Sequence, residues 1–519
     1  MGEATSALTS IDVVIVAVYL LGVLGIGAYF GRYVKSAGDL FLAGKALPFW
    51  AIGMSIVVSD IGAIDLVSGA GAAYEYGIAQ ANFDWIGSMP AMVIAAFIFV
   101  PYYWRSGAYT IPEFLGKRYS RVVQLLEAII WLLFLTSMLA VMLWTSAVFL
   151  GAQLGWSTTF SIWITVIFVG IYTVSGGLAA VVMTDALQMV VMFVGTLALL
   201  ILCLWKAGGW SPMVDAVLAV GEQTKNHFTL MIPHDEATPY PWTGIVFGLG
   251  LVMSTGYFVG NQAVIQRVLG ARSEWDAKAG MLFAGLLKLF IPVLIMLPGL
   301  AARASYPELE DPDAAVPVSV REMFPAGLMG LMFAAFLAAL MSSVDSYLNS
   351  AVTMFMSDIY GLRRFKGNLE RRGLWLGRGL TAGFIIAAGL AAPVIDRYET
   401  IYTAIQGLLS LFQGPTLAIL LLGILWPRAN RWGALAGLLL GLLLTGTLTL
   451  VGDQVFAPST DAFLFVSFWS FLFSSFVTII VSLLTEPEPE EKTRGLVFGQ
   501  VMRDPDAQDL LRKRVNGGE

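Results

Sequence analysis

The chain has 519 residues, of which 57% are hydrophobic and 13% are charged, and its mean hydropathy is +0.77. Soluble globular domains carry about 25% charged residues, so this composition excludes a soluble globular protein and indicates a polytopic membrane protein. The net charge of -6 identifies no charged partner, nothing indicates nucleic-acid binding, and the single cysteine, Cys203, excludes a disulfide within the chain.

Apolar segments long enough to span a bilayer recur along the whole chain. A helix needs about 20 apolar residues to cross roughly 30 Å of hydrocarbon. Thirteen segments meet this length: 12–31, 47–73, 84–104, 122–150, 156–174, 178–206, 240–260, 276–303, 325–358, 374–396, 399–426, 432–451 and 461–484. The first has no basic region before it, which predicts a retained helix rather than a cleaved signal. The tail after "LLTEPEPEEK" is too charged to span, so we expect a solvated cytoplasmic extension.

Basic residues in the loops predict the orientation in the membrane. Lysine and arginine concentrate in alternate loops, and cytoplasmic loops are the ones that carry this excess. Examples are Arg105, Arg118, Arg267 and Arg428. With thirteen spans this places the N-terminus outside and the C-terminus in the cytoplasm of a cell-membrane protein. His227 and His234 both fall in a long outer loop, where we expect solvated side chains rather than a metal site.

Ionisable residues occur inside several predicted spans. The stretch "SDIGAID" puts Asp60 and Asp65 in the second span, and Asp84, Asp185, Lys288 and Asp345 lie in later ones. An aspartate near the centre of a spanning helix costs about 2.5–3.5 kcal/mol on insertion, so such residues usually mark a substrate or ion pathway. For Asp84 and Asp185, which lie near predicted helix ends, an alternative is that the side chains reach the headgroup region.

Two spans have features that suit cation binding. The second, "IGMSIVVSDIGAIDLVSGAGAAYEYG", is rich in glycine and small residues, which favours an interrupted helix with exposed backbone carbonyls, although small residues also serve ordinary helix packing. In the ninth, helical spacing places a polar stripe within an arc of roughly 160°. Its members are Ala339, Ser342, Ser343, Asp345, Ser346 and Asn349. Such oxygens suit a hard cation; the alternative, serines bonded to their own helix, leaves Asp345 unpaired.

Five motifs resemble the sodium:solute symporter family, which includes sodium/glucose and sodium/galactose cotransporters. They are "LFLAGKALPFW", "YTIPEFLGKRYS", "SGGLAAVVMTDALQMV", "NQAVIQRVLGARS" and "AALMSSVDSYLNSAVTMFMSDIY", within a resemblance that covers residues 12–450. It implies an all-α leucine-transporter-type fold with a core of two inverted repeats of five helices, each repeat opening on a discontinuous helix. The implied parts are an extra helix and loop in 1–46, the core in 47–426, two further helices in 427–484 and a cytoplasmic tail in 485–519.

The resemblance also implies sodium ligands. The family's common site maps onto Val58 and Ile61 of the interrupted helix and onto Ala339, Ser342 and Ser343. Relatives that couple two sodium ions use further positions, which here are Asp185, Ser342, Asp345 and Ser346. Asp345 replaces a serine of those relatives and adds a carboxylate, so this region is expected to bind a second sodium or to carry a proton. Asp60 is expected to support the cation site.

The resemblance implies substrate contacts as well. The corresponding positions are Asp65, Asp84, Ser254, Tyr257, Lys288, Tyr402 and Gln406. Lys288 and Gln406 agree with the galactose-binding pattern, whereas Asp65, Asp84 and Ser254 depart from it. Carboxylates accept hydrogens from hydroxyl groups and would repel an anion.

The expected function is therefore sodium-coupled uptake of a sugar or polyol by alternating access. A sodium-coupled amino-acid symporter and a solute sensor built on the transporter fold remain alternatives. A channel is disfavoured because no repeated selectivity-filter pattern is present. An enzyme is not expected either, since the spans contain no nucleophile paired with a base and no metal cluster.

Overall fold

The computed structural model describes residues 8–32, 41–173, 177–361, 369–397, 401–460 and 462–499. Twenty helices account for most of this part of the chain, which contains no β-sheet. The predicted all-α architecture is therefore confirmed.

The helices are numbered here in chain order. The first ten are α1 Ser10–Gly31, α2 Phe49–Asp60, α3 Asp65–Ala81, α4 Phe83–Ser106, α5 Ile111–Arg118, α6 Arg121–Leu154, α7 Thr158–Thr173, α8 Leu178–Lys206, α9 Trp210–Leu218 and α10 Gly244–Gly260. The second ten are α11 Gln262–Leu269, α12 Glu274–Ser305, α13 Ala315–Met323, α14 Leu328–Tyr360, α15 Trp375–Arg397, α16 Ile401–Ser410, α17 Gln413–Leu425, α18 Arg431–Val455, α19 Phe463–Leu484 and α20 Glu490–Thr493.

The helices account for every predicted membrane segment. Nine in the described part of the chain are long and apolar enough to span a bilayer, and two bent pairs raise the number to as many as eleven. The shorter apolar helices α7 and α17 coincide with the two remaining segments. Of the long helices, α14 is the most enclosed: 83% of its most apolar window is buried, compared with 11% for α1. The polar stripe of the ninth segment therefore lies at the centre of the bundle, while α1 lies at its periphery.

Both bent pairs interrupt a membrane segment. α2 and α3 differ in direction by 65°, and α10 and α11 by 54°. At the first break Ile61 has non-helical angles, φ -90° and ψ 83°. At the second, Asn261 is extended and its side chain accepts a hydrogen bond from the amide of Ala263, which caps α11. The interruption expected in the second segment is confirmed.

Some residues expected in solvated loops are buried instead. His227 is only 2% exposed, and its Nε2 lies 3.1 Å from the carbonyl oxygen of Tyr74, whereas His234 is exposed as expected. Arg118 is fully buried and donates to the carbonyl oxygens of Gly423 and Ala429 at 2.7 and 2.9 Å. Satisfying free carbonyls at a helix end explains this burial of a basic side chain.

The segment after α19 was also expected to be solvated; within residues 485–499 most side chains are exposed or half-buried, but a few, including Glu488 and Val497, are buried. Glu488 accepts hydrogen bonds from Arg431 Nε and Lys492 Nζ, each at 2.8 Å. The amide of Phe498 donates to the carbonyl oxygen of Ile424 at 2.7 Å, and Val497 is fully buried. The segment is therefore a strap that packs on the ends of α17 and α18. Residues 500–519 lie outside the described part.

Candidate functional site

One cavity lies beside the break between α2 and α3. Six of the seven residues expected to contact substrate line it: Asp65, Asp84, Ser254, Tyr257, Lys288 and Gln406. Asp60, expected to support the cation site, lines it too. The side chain of Tyr402 lies outside the described residues. The residues come from α2, α3, α4, α10, α12 and α16, so the fold brings together positions more than 300 residues apart in the chain.

An ion-paired triad forms one wall of the cavity. Lys288 Nζ lies 2.5 Å from Asp60 Oδ2 and 2.7 Å from Asp84 Oδ1. Lys288 is 5% exposed and Asp84 is 4% exposed. Leaving a buried charge without its partner is costly, so each member depends on the others. Because Asp60 is the last residue of α2, the triad ties the helix break to α4 and α12.

Asp65 has different surroundings. It is the first residue of α3 and is only half-buried, and its carboxylate lies near the backbone of Gly62 at the break. No lysine, arginine or histidine of the described chain forms an ion pair with it. Asp65 is therefore a carboxylate that lines the cavity at the start of α3.

Aromatic side chains complete the cavity. The hydroxyl groups of Tyr257 and Tyr347 lie 2.9 Å apart, and the ring centroids of Phe134 and Tyr347 are 6.4 Å apart. Phe83 and Phe258 line the same cavity. Sequence reasoning missed Tyr347 because its helical position falls outside the polar stripe of α14. Its phenol ring nevertheless reaches the edge of the cavity, where it offers a solute both an apolar ring face and a hydroxyl group.

The break also touches the serine stripe of α14. Ser343 Oγ donates a hydrogen bond to the carbonyl oxygen of Ser59 at 3.0 Å. A Cβ placed on Gly62 would lie 2.6 Å from Ser343 Oγ, so the break packs directly against that hydroxyl. Val58, Ile61 and Ala339, which the resemblance assigns to the common sodium site, are all buried. Because the last turn of a helix leaves carbonyls without helical partners, this place combines backbone and hydroxyl oxygens of the type that hard cations prefer.

Next to this place, Arg267 forms a buried network with Asp185. Arg267 Nη2 lies 3.2 Å from Asp185 Oδ2. The guanidinium also donates to Ser55 Oγ at 2.5 Å, to Ser59 Oγ at 2.7 Å, and to Ser346 Oγ. Ser342 Oγ donates to the other carboxylate oxygen of Asp185 at 2.6 Å. Asp185 and Ser346, both expected to bind a second sodium ion, are thus hydrogen-bonded to a resident cation.

Sequence reasoning placed Arg267 in a cytoplasmic loop, and that placement is wrong. Arg267 lies in α11 and is 1% exposed. Arg267 is therefore, like Lys288, a buried cation inside the helix bundle. The bend between α10 and α11, fixed by the Asn261 cap, directs this short helix toward α2 and α8.

The hydrogen-bond partners of Asp345 differ from those of Asp185. Thr173 Oγ1, at the end of α7, donates to Asp345 Oδ1. Asp345 Oδ2 has no hydrogen-bond partner among the described residues. The two carboxylates expected to share a second cation site therefore belong to separate hydrogen-bonding groups.

Comparison with known proteins identifies the family. The model of the sodium:solute symporter family matches residues 40–441. The chain belongs to the sodium:solute symporter family. It is 30% identical to the human sodium/myo-inositol cotransporter over 95% of this chain and 76% of that protein. It is equally identical to sodium/glucose cotransporter 1 of Oryctolagus cuniculus, over 92% and 80% of the two chains. The sodium/glucose cotransporter of Vibrio parahaemolyticus is also 30% identical, over 93% of this chain and 92% of that one.

Solved structures resemble this symporter in fold. A sodium-coupled sialic acid symporter in a substrate-bound outward-open state gives a TM-score of 0.80 at 22% identity, covering 92% of this chain and 98% of that one. Mhp1, a nucleobase-cation-symport-1 family transporter, gives a TM-score of 0.57 at 14% identity, covering 88% and 97%. These similarities confirm the leucine-transporter-type fold with its core of two five-helix repeats.

Proposed function

We propose that this family member takes up a small polar solute, a sugar or polyol, driven by sodium that enters across the cell membrane. The observation that carries the proposal is that the break between α2 and α3 touches both candidate sites. On one side Ser59 O accepts a hydrogen bond from Ser343; on the other, the neighbouring Asp60 pairs with Lys288 in the cavity. A sodium ion that fixes the break also fixes a wall of the solute site, and this links the two binding events.

Polar groups in the cavity suit a hydroxyl-rich solute. Asp84 and Asp65 supply carboxylate oxygens that accept hydrogens from hydroxyl groups, while Gln406 and Lys288 supply donors. Relatives named as sodium/myo-inositol and sodium/glucose cotransporters support this class. The sodium ion is held, in this proposal, by the carbonyls of Val58, Ile61 and Ala339 with the hydroxyls of Ser342 and Ser343. The protein lies in the membrane with its N-terminus outside and its C-terminus in the cytoplasm.

We further infer that one sodium ion accompanies each solute. The guanidinium of Arg267 bonds to Asp185 and Ser346, so its charge replaces that of a second sodium ion. One charge that moves through about 100 mV supplies roughly 2.3 kcal/mol, which corresponds to a solute concentration ratio of about 50-fold. Reversal potentials in proteoliposomes measure this stoichiometry directly, and a coupling ratio of two would contradict the inference.

Solute uptake into proteoliposomes tests the coupling. An inward sodium gradient should drive accumulation of a sugar or polyol, and Ser343→Ala should abolish the stimulation by sodium at normal expression. Ser474→Ala is a matched control because Ser474 is likewise buried and donates to a backbone carbonyl, that of Gly437, at 2.7 Å. Unchanged sodium dependence in Ser343→Ala would refute the assigned site, and accumulation that never exceeds equilibrium would refute symport.

A further inference from the structure

The described residues that line the cavity carry more negative than positive charge. Asp60, Asp65 and Asp84 contribute three carboxylates, whereas Lys288 contributes one ammonium group. Lys288 is already engaged, because its Nζ pairs with both Asp60 and Asp84. Lys288 acts on Asp65 through its charge but forms no ion pair with it within 4 Å. The cavity thus contains a carboxylate that no basic side chain of the described residues pairs with directly.

A sodium ion at the helix break supplies only part of the missing positive charge. It would lie beside Ser59 O, next in sequence to Asp60, and would balance one carboxylate of the group. Together with Lys288 this makes two positive charges for three negative ones. A bound state that includes a neutral solute therefore retains one uncompensated carboxylate, and an unbalanced charge in a low-dielectric site is strongly unfavourable. A solute with one positive charge removes this deficit.

The position of Asp65 suits contact with such a solute. Asp65 is half-buried, whereas Asp84 and Lys288 are buried, so its carboxylate remains accessible from the cavity. The rings of Phe83, Phe134 and Tyr257 line the same space. Aromatic faces attract an ammonium group through their quadrupole, and the polar side chains of Gln406 and Ser254 line the same cavity.

We propose that the transported solute carries a protonated amine in addition to hydroxyl groups, as in an amino sugar or amino polyol. The amine binds Asp65, while the hydroxyls bind Gln406, Ser254 and the Asp84–Lys288 pair. This rests on the proposed function, since it names the solute class for the same cavity. It also gives Asp65 a specific role as the residue that selects an amine over a hydroxyl at one position of the solute.

Matched alcohol and amine pairs test this selection on the purified full-length protein in saturating sodium. D-glucose is compared with D-glucosamine, and myo-inositol with an amino-inositol; N-acetylglucosamine keeps the nitrogen without its charge. Binding is measured by calorimetry. In at least one pair the amine should bind about tenfold or more tightly than the alcohol, as expected for a charge-assisted contact, and the neutral amide should not. Asp65→Asn should remove the preference.

Sodium-induced thermal stabilisation, measured in the same variants, separates the two claims. If Asp65→Asn keeps this stabilisation and loses only the amine preference, the proposal stands. The proposal that the solute carries an amine is overturned if the neutral member binds equally or more tightly in every pair that binds, or if no member binds. Neither result affects the proposed coupling to sodium. A loss of sodium stabilisation in Asp65→Asn overturns the proposal by assigning Asp65 to the ion. Absence of any sodium effect in the wild-type protein refutes the proposed function itself.

Discussion

Gly62 is the position where a single methyl group should damage the proposed sodium site most selectively. A Cβ at this position would lie 2.6 Å from Ser343 Oγ and 3.3 Å from Ser343 Cβ. Ordinary contact begins at about 3.4 Å, so in Gly62→Ala the break and the hydroxyl must separate by about 0.8 Å. The rotation of Ser343 that relieves the clash also breaks its 3.0 Å hydrogen bond to Ser59 O.

The expected size of the effect follows from the loss of one oxygen ligand. A hydrogen-bond-type contact to a charged group contributes about 1.5–3 kcal/mol. Gly62→Ala should therefore raise the half-saturating sodium concentration roughly 10- to 100-fold. Sodium titrations of the thermal unfolding temperature, followed by sodium-dependent uptake in proteoliposomes, measure this quantity on the same preparations.

Gly25→Ala is the control glycine-to-alanine change, because a Cβ on Gly25, which lies in α1, would meet nothing within 4 Å. It should leave the half-saturating sodium concentration unchanged. Equal sodium affinities in the two variants would refute the assignment of the ion to the contact between the helix break and Ser343.

Two further predictions concern buried charges and pH. Arg267→Met removes the partner of Asp185, and breaking a buried pair costs about 3–5 kcal/mol. The unfolding temperature measured without sodium should therefore fall strongly in Arg267→Met, and adding Asp185→Asn to the same chain should partly restore it. Additive losses of stability in the double variant would contradict the pairing. In the strap, burial acts to raise the pKa of Glu488, but hydrogen bonds from Arg431 and Lys492 outweigh it and hold the pKa below its ordinary value. This stabilisation is present above the usual glutamate range and is lost as the pH falls through the lowered pKa. The unfolding temperature of Glu488→Gln should therefore lie below that of the wild type at pH 7, and the two should converge once the pH falls below the lowered pKa. A difference that does not change with pH would contradict this.

The sequence was sufficient to predict the helices, the interruption of the second span, and the residues on both sides of that interruption. Hydrophobic length identifies spans because the bilayer imposes a fixed thickness. The stripe of Ser342 and Ser343 follows from helical periodicity alone. The clustering of Asp65, Asp84 and Lys288 in one cavity required the family resemblance, because nothing in local spacing relates residues of three separate helices.

Other features depend on tertiary contacts that local patterns do not encode. Arg267 resembles any basic loop residue, and its burial follows from the bend that Asn261 caps. The charges around Glu488 indicate a solvated tail until Arg431, on another helix, is brought within 2.8 Å. Tyr347 lies outside the polar stripe of α14, although the hydroxyl of its long side chain reaches Tyr257. In each case a polar group on a distant element changes the environment that periodicity alone suggests.

High-resolution cryo-electron microscopy of the protein in sodium chloride and in potassium chloride tests the central claim most directly. We predict sodium-dependent density between the backbone of Val58 and Ile61 and the hydroxyls of Ser342 and Ser343, with Arg267 still bound to Asp185. Sodium-dependent density located instead at Asp185 or Asp345, with none at the helix break, would contradict the account.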